Sequence, residues 1–181
     1  MKKLIFIIFL MFPTLLVAEG NVKNTTIKQY DYWSLKCEVV NDDQNCQVLQ
    51  TITTNETNFQ FTIIYQKFLN EKNIEKEIIQ FITPLGVNLD IKPAILFDEN
   101  PQINLKWTKC EPFGCMAVLT NNSEIKEIVK VFNDVKKGLT KSKEMQLGIQ
   151  GFNTEPLVVK FLLKGFVKAS SLLVGVKNED I

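Results

Sequence analysis

The sequence contains neither histidine nor arginine, so all 21 of its basic residues are lysines. Without histidine, the chain has no Ser-His-Asp or Cys-His pair for nucleophilic catalysis and no imidazole to ligate a metal ion. Without arginine, it lacks the planar guanidinium group that binds a phosphate through two parallel hydrogen bonds. These absences exclude most common hydrolase and phosphoryl-transfer sites. We therefore predict that the protein is not an enzyme and has no catalytic residue, no cofactor and no metal site.

Neither charge is in surplus, because the 21 lysines are balanced by 20 acidic residues. A nucleic-acid-binding domain normally carries a clustered basic surplus, so we expect no nucleic-acid partner. Apolar residues make up 45% of the 181 residues, which is enough to build a core. No internal repeat or low-complexity linker divides the chain, and we predict a single domain over residues 21–181.

The first twenty residues have the layout of a secretory signal peptide. Lys2 and Lys3 precede an apolar segment that reaches Val17, and the small residues Ala18 and Gly20 follow it. The competing interpretation is a transmembrane anchor, but the apolar run is only about fourteen residues, whereas a spanning helix needs roughly twenty. We predict that residues 1–20 are cleaved, that no transmembrane span remains, and that the protein is periplasmic, envelope-bound or secreted.

The exported part contains four cysteines, Cys37, Cys46, Cys110 and Cys115. An even number in an exported domain predicts two disulfides, for which three connectivities exist. We favour the local pairs Cys37–Cys46 and Cys110–Cys115. The first pair encloses an Asn/Asp cluster that is typical of a hairpin turn, and the second encloses a Pro and a Gly in the positions that a type I turn prefers.

Two other uses of the four cysteines are a thiol-disulfide exchange site and a zinc site. An exchange site favours the C-x-x-C spacing, which is absent here. A structural zinc site favours ligands two to four residues apart, and the first cysteine pair lies outside that range. Structural disulfides remain the preferred interpretation.

Most of the mature chain has the patterns of β-strands. Apolar and polar residues alternate along residues 30–40, which is the period of a half-buried strand. Turns are predicted at residues 70–73 and at the Pro84-Leu85-Gly86-Val87 segment. Further strands are predicted at residues 46–53, 59–69, 77–83, 94–97, 103–109, 115–119, 145–152 and 157–163. Short strands separated by frequent turns favour a sandwich or a barrel.

Two segments have the spacing of amphipathic helices. Residues 123–137 place their apolar side chains on one stripe, with Asn121 or Asn122 available to cap the start and Gly138 to end the helix. Residues 165–176 also place apolar side chains at helical intervals. Because the polar faces are not strongly basic, we expect both helices to pack on the sheets rather than on a membrane surface.

The order of these motifs resembles that of a known family, the invasion-associated locus B proteins of alphaproteobacterial envelopes. The resemblance extends from about residue 30 to about residue 175. The matching residues are Trp33-x3-Cys37, Cys46-x3-Gln50, Pro84-Leu85-Gly86-Val87, Cys110-x3-Gly114-Cys115-x-Ala117 and Gly165-Phe166-x-x-Ala169. The resemblance implies a mainly β, immunoglobulin-like sandwich with one or two short helices, an envelope location and a non-enzymatic role.

Two functions follow from the sequence as hypotheses. The first is a non-catalytic envelope protein that binds a protein or surface component, with the loop at residues 84–93 and the tip formed by Pro112, Phe113 and Gly114 as the candidate recognition loops. The same Pro and Gly residues could serve only to make turns. The alternative is a carrier of a small apolar ligand, since the 13 Phe residues could line a cavity.

Overall fold

A computed structural model describes residues 22–40, 43–54, 58–97, 100–138, 143–151, 155–173 and 176–177. The predicted signal peptide lies outside the described residues and stays a prediction. The strands are β1 (Val22–Tyr30), β2 (Trp33–Val40), β3 (Asp43–Thr53), β4 (Gln60–Leu69), β5 (Glu75–Thr83), β6 (Ala94–Phe97), β7 (Asn100–Asn104), β8 (Lys106–Glu111), β9 (Gly114–Leu119), β10 (Glu144–Gln150), β11 (Pro156–Leu162) and β12 (Val176–Lys177). The helices are α1 (Asn122–Lys137) and α2 (Phe166–Ser170).

The strands form two sheets. In the larger sheet the order is β1-β2-β3-β4-β5-β9-β8, and the short β12 lies parallel to β4. The smaller sheet has the order β11-β10-β6-β7. All pairs other than β12 with β4 are antiparallel, and the first five strands lie side by side in chain order. The prediction of a mainly β, disulfide-linked sandwich with short helices is confirmed.

One hydrophobic core lies between the sheets and the helices. Apolar side chains on alternate positions of both sheets enter it, and Phe81 of β5 contacts Phe161 of β11 edge-on at a ring distance of 5.8 Å. The helices pack on parts of the larger sheet, α1 against β5 and α2 against β1, β2 and β3. There Phe166 of α2 stacks on Phe132 of α1 at 4.0 Å and contacts Trp33 of β2 at 4.9 Å. The two helices therefore pack on the core, as their apolar stripes predict.

The end of β11 is held to the larger sheet by hydrogen bonds that reach across the core. The ring N–H of Trp33 donates to the carbonyl oxygen of Leu162 at 2.8 Å. The side-chain amide of Gln50, which is buried, donates to the same oxygen and accepts from the N–H of Leu162, both at 2.9 Å. These three bonds satisfy the main chain at the point where β11 ends, and we call them the Leu162 clamp.

Both disulfides join residues that lie directly opposite each other in neighbouring strands. Cys37 of β2 is bonded to Cys46 of β3, with Cα atoms 4.1 Å apart. Cys110 of β8 is bonded to Cys115 of β9, with Cα atoms 3.9 Å apart. These are the local pairs favoured from the sequence. Each bridge therefore stabilises one hairpin and fixes its register.

The helix at residues 123–137 and its ends are confirmed. α1 begins after Asn121, whose side chain accepts a hydrogen bond from the N–H of Ser123 at 3.1 Å, and it ends at Gly138. The turn at residues 70–73 is confirmed as well. The side-chain oxygen of Asn70 accepts from the N–H groups of Lys72 and Ile74 and closes that turn.

The predicted strand over residues 30–40 is wrong at its start. The chain turns at Asp31 and Tyr32, and a strand that the sequence did not indicate, β1, precedes the turn. Asp31 has a positive φ of 51°, and the amide of Gln29 donates to its carbonyl oxygen at 2.7 Å. Residues 30–32 alternate apolar and polar side chains, as the strand that follows does, and include no Gly or Pro. The sequence therefore contains no sign of a turn there, and the predicted strand began too early.

Two other boundaries also differ. The strand predicted at residues 103–109 is divided at Leu105, whose buried side chain marks the point where the chain passes from the smaller sheet to the larger. The N–H of Leu105 donates to the carbonyl oxygen of Pro93 at 2.8 Å instead of joining a ladder. The helix predicted over residues 165–176 is shorter, because α2 covers only Phe166–Ser170.

Replacing Gln50 with Leu should destabilise the protein by about 2 kcal/mol, because the main-chain N–H of Leu162 loses its partner while it remains shielded from water. Urea unfolding followed by tryptophan fluorescence measures the change. The matched control is Gln47→Leu, on the opposite face of β3, which should change the free energy of unfolding by less than about 0.5 kcal/mol. Equal losses in the two variants would contradict the structural role of the Leu162 clamp.

Candidate functional site

One end of the larger sheet carries an exposed apolar side chain on each of four turns or loops. Tyr32 lies in the turn between β1 and β2, Phe59 lies just before β4, Leu85 follows β5, and Phe113 lies between β8 and β9. The antiparallel order of the strands brings these four positions to the same end. Their exposed fractions are 53%, 47%, 55% and 67%. We call this surface the apolar end.

The hairpin that carries Phe113 is short and cross-linked. Glu111 pairs with Gly114, so only Pro112 and Phe113 form the turn, and the Cys110–Cys115 disulfide lies one pair behind it. The proline ring restricts the backbone of the turn. A side chain held on such a turn loses little conformational entropy on binding, which favours affinity.

Gly114 is where this hairpin rests on the end of β5. Its φ is +148°, and a Cβ atom added there would overlap the carbonyl oxygen of Thr83. The hydroxyl of the buried Thr83 donates to the carbonyl oxygen of Cys115 at 3.3 Å. Because Leu85 follows Thr83 by two residues, this close approach also brings Leu85 and Phe113 to the same part of the surface.

The loop at residues 84–93 is fastened to both sheets. The N–H of Asn88 donates to the carbonyl oxygen of Gln150, at the end of β10, at 2.8 Å. The ring N–H of Trp107, in β8, donates to the carbonyl oxygen of Ile91 at 2.9 Å. Leu89 and Ile91 are exposed on this loop. The loop thus extends the apolar surface from Leu85 along the side of β8.

The structure separates the predicted recognition residues into two kinds. Pro112 and Phe113 are exposed, whereas Gly114 is buried and serves the close contact with Thr83. The recognition role itself stays a prediction. Sequence reasoning missed Tyr32 and Phe59 because each was assigned to a strand. The signal that could have located them is a large apolar residue directly after Asp31 or Asn58, both of which have positive φ angles.

Ion pairs accompany the apolar end. The ammonium of Lys164 lies 2.8 Å from a carboxylate oxygen of Asp31, beside Tyr32, and the hydrogen bond and charge of Asp31 raise the pKa of Lys164. Lys109 pairs with Glu111 at 2.9 Å, beside the Phe113 turn. Both pairs are exposed and contribute little stability. They place charges of both signs close to Tyr32 and to the Phe113 turn.

A second group of perturbed residues lies away from the apolar end, where β4 and β5 approach their turn. Burial, reinforced by the charge of Glu77, raises the pKa of the Tyr65 hydroxyl, which donates to Glu77 at 2.9 Å. Burial lowers the pKa of Lys67, but the hydrogen bonds and charges of Glu75 and Glu77 outweigh it and raise the pKa overall. These contacts pair every member of the group within the sheet.

Within the described ranges, no group of three or more Cys, Asp or Glu side chains is placed to hold a metal ion. No helix in the described part of the chain is long and apolar enough to span a bilayer.

An open cleft of about 480 Å³ lies on the core side of β1 and β2, beside the first disulfide. Its lining mixes apolar and polar side chains, namely Thr26, Lys28, Leu35, Cys37, Gln44, Cys46 and Leu172. This cleft lies outside the packed rings of the core. It is a candidate position for the ligand in the alternative function, carriage of a small apolar molecule.

The fold and its motifs match one protein family. The family model described as invasion associated locus B (IalB) protein matches residues 33–173. This chain belongs to the invasion-associated locus B family. The resemblance carried by the tryptophan, cysteine and glycine motifs is therefore confirmed.

The fold of this locus B protein is similar to that of a solved structure. The crystal structure of invasion associated protein B from Bartonella henselae matches with a TM-score of 0.61 and 18% sequence identity, over 81% of this chain and 92% of that chain. Identity at this level supports the fold alone. No curated protein matches the chain.

In this locus B protein, Gly114→Ala should destabilise the fold by at least about 3 kcal/mol, because the new methyl group adds a steric overlap to the strain of a positive φ. The control is Gly86→Ala, which also has a positive φ but has open space around it and should cost only about 1 kcal/mol. Thermal unfolding measures both. Equal costs would contradict the close contact between the hairpin and β5.

Proposed function

We propose that this chain is an exported envelope protein that binds a partner protein or surface component through its apolar end, without catalysis. Export is supported by the predicted signal peptide and by two disulfides, which persist in oxidising compartments. The observation that carries the binding role is the position of Tyr32, Phe59, Leu85 and Phe113, each exposed on a separate turn or loop, along the same end of the larger sheet.

Isolated exposed apolar residues are normal on proteins and need no functional explanation. Their position here supports a function, because turns favour small and polar residues. The described turn at the other end of the sheet follows that rule, with Asn70, Glu71, Lys72 and Asn73 before a single exposed Ile74. Aromatic side chains are also the ones enriched in binding interfaces, where they bury much area and lose little entropy.

The non-catalytic part of the proposal is supported by the chemistry of the titratable groups. The chain has no histidine, and the described groups with perturbed pKa values are each engaged in an ion pair or a hydrogen bond. Tyr65 and Lys67 share Glu77, so their carboxylate partner serves the packing of β4 against β5. None of these groups adjoins a nucleophile in the arrangement that covalent catalysis needs.

Carriage of a small apolar ligand has weaker support. The rings of Trp33, Phe132 and Phe166 contact one another in the core, so the aromatic residues fill space that a ligand would need. The cleft beside the first disulfide is open to solvent, and its lining includes the charged Lys28. Native mass spectrometry of protein purified from cells tests this alternative directly.

Replacing Phe113 with Ala should weaken capture of the natural partner by at least about tenfold, because truncating an aromatic residue that anchors an interface costs more than about 1.4 kcal/mol. Immobilised mature protein is incubated with envelope extract, and the captured proteins are quantified by mass spectrometry. Leu85→Ala should reduce capture of the same protein.

The matched control is Ile74→Ala, which truncates an exposed apolar residue at the opposite end of the sheet. A true partner is retained by Ile74→Ala and lost by Phe113→Ala. If the captured proteins are the same for the wild type and all three variants, the apolar end is not the binding surface and the proposal is wrong.

A further inference from the structure

The outer edge of β1 is an open strand edge. β1 pairs with β2 on one side, and within the described part of the chain no strand pairs with its other side. From Asn24 to Tyr30 the pairing with β2 is regular, and this run contains no proline and no bulge. A regular edge presents main-chain donors and acceptors that another strand can bind.

The other sheet edges carry features that discourage such pairing. β8 has a bulge at Thr108, whose hydroxyl donates to the neighbouring strand, and its lysines are exposed. β7 is short and contains Pro101, and β11 starts at Pro156 and has Lys160 in its middle. Bulges, prolines and lysines are the usual protection of sheet edges. The run from Asn24 to Tyr30 contains one exposed lysine, Lys28, but neither a bulge nor a proline, so it is the least protected of these edges.

The first disulfide identifies the main-chain groups that face this edge. Its Cα separation of 4.1 Å is that of a pair without mutual main-chain hydrogen bonds, so the N–H and C=O of Cys37 point toward β1 and its partner Thr26. Successive residues of a strand point their N–H and C=O groups to opposite sides. The main-chain groups of Thr26, and of every second residue from it along β1, therefore bond to β2. The residues whose N–H and C=O point to the open edge are Thr25, Ile27 and Gln29.

Ile27 lies at the centre of this run. It is three residues from Asn24 and three from Tyr30, and its side chain is 65% exposed. Two antiparallel copies of the run, centred on Ile27, would place Ile27 opposite Ile27 and Thr25 opposite Gln29. On the other face, Lys28 would lie opposite Thr26, so no like charges would be directly opposed.

We propose that β1 binds β1 of a second copy of this chain, antiparallel and centred on Ile27. The edge is self-complementary in this register, because every outward-facing residue meets another outward-facing residue and the two isoleucines share a contact. Each such pair exchanges two main-chain hydrogen bonds, which gives about six across the dimer. The larger sheets of the two copies become one continuous sheet.

The contact is a strand edge and is smaller than the standard interface of roughly 1,600 Å². The dimer therefore forms in a concentration-dependent manner. Sedimentation equilibrium of the mature protein should give an average mass that rises from one chain toward two between about 10 μM and 1 mM, by mass action.

Ile27→Lys should abolish this rise, because it places two ammonium groups opposite each other and removes the isoleucine contact. Ile74→Lys is the matched control, with the same change of charge at a site that is 52% exposed in the connection between β4 and β5, and it should dimerise like the wild type. A protein that stays monomeric up to 1 mM contradicts the proposal, as does a dimer that persists in Ile27→Lys.

A second measurement does not depend on the folding of the lysine variant. The described cysteines are all in disulfides, so they offer no thiol that competes with a new cysteine at position 27. With a short bismaleimide, Ile27→Cys should give a cross-linked dimer and Ile74→Cys should not. Equal cross-linking of the two variants, or none with Ile27→Cys at concentrations where the wild type dimerises, overturns the register.

Discussion

The main chain of Leu162 is the point where the two sheets depend on each other. Its carbonyl oxygen accepts from Trp33 and Gln50, and its N–H donates to Gln50. The register of β2 with β3, which pairs Ser34 with Leu49, sets Trp33 beside Gln50. The Cys37–Cys46 disulfide lies in the same hairpin and fixes that register, so the disulfide and the Leu162 clamp act together.

The residues that mark the family serve this architecture. Trp33 and Gln50 form the clamp, and the four cysteines cross-link hairpins. Gly165 lies against the carbonyl of Tyr30, where a Cβ atom would overlap it, and Phe166 fills the core beside Trp33. The family motifs therefore indicate the fold of this chain and do not by themselves indicate what it binds. The residues of the apolar end, to which we assign the proposed function, lie on turns and loops that this framework holds in place. Of these residues, only Leu85 belongs to a family motif.

The local features of the fold could be predicted from sequence because short-range chemistry determines them. The two cysteine pairs, the Asn70 turn and the cap of α1 each depend on residues within about one hairpin or one helical turn. The passage between sheets at Leu105 depends on the pairing of β6 with β10, a strand far along the chain, whereas β8 pairs with β9. The apolar end likewise depends on strand order, so only Phe113 and Leu85, whose loops have clear turn residues, were found in advance.

The proposed binding role requires that the apolar end contacts a partner in the envelope. Photo-crosslinking in intact cells tests it most directly, with a benzophenone amino acid in place of Phe113 in one strain and in place of Ile74 in another. We expect a specific adduct of defined mass from position 113, the same adduct from a third strain with the replacement at Leu85, and none from position 74. The absence of adducts at positions 113 and 85, or the same adducts from position 74, would contradict it.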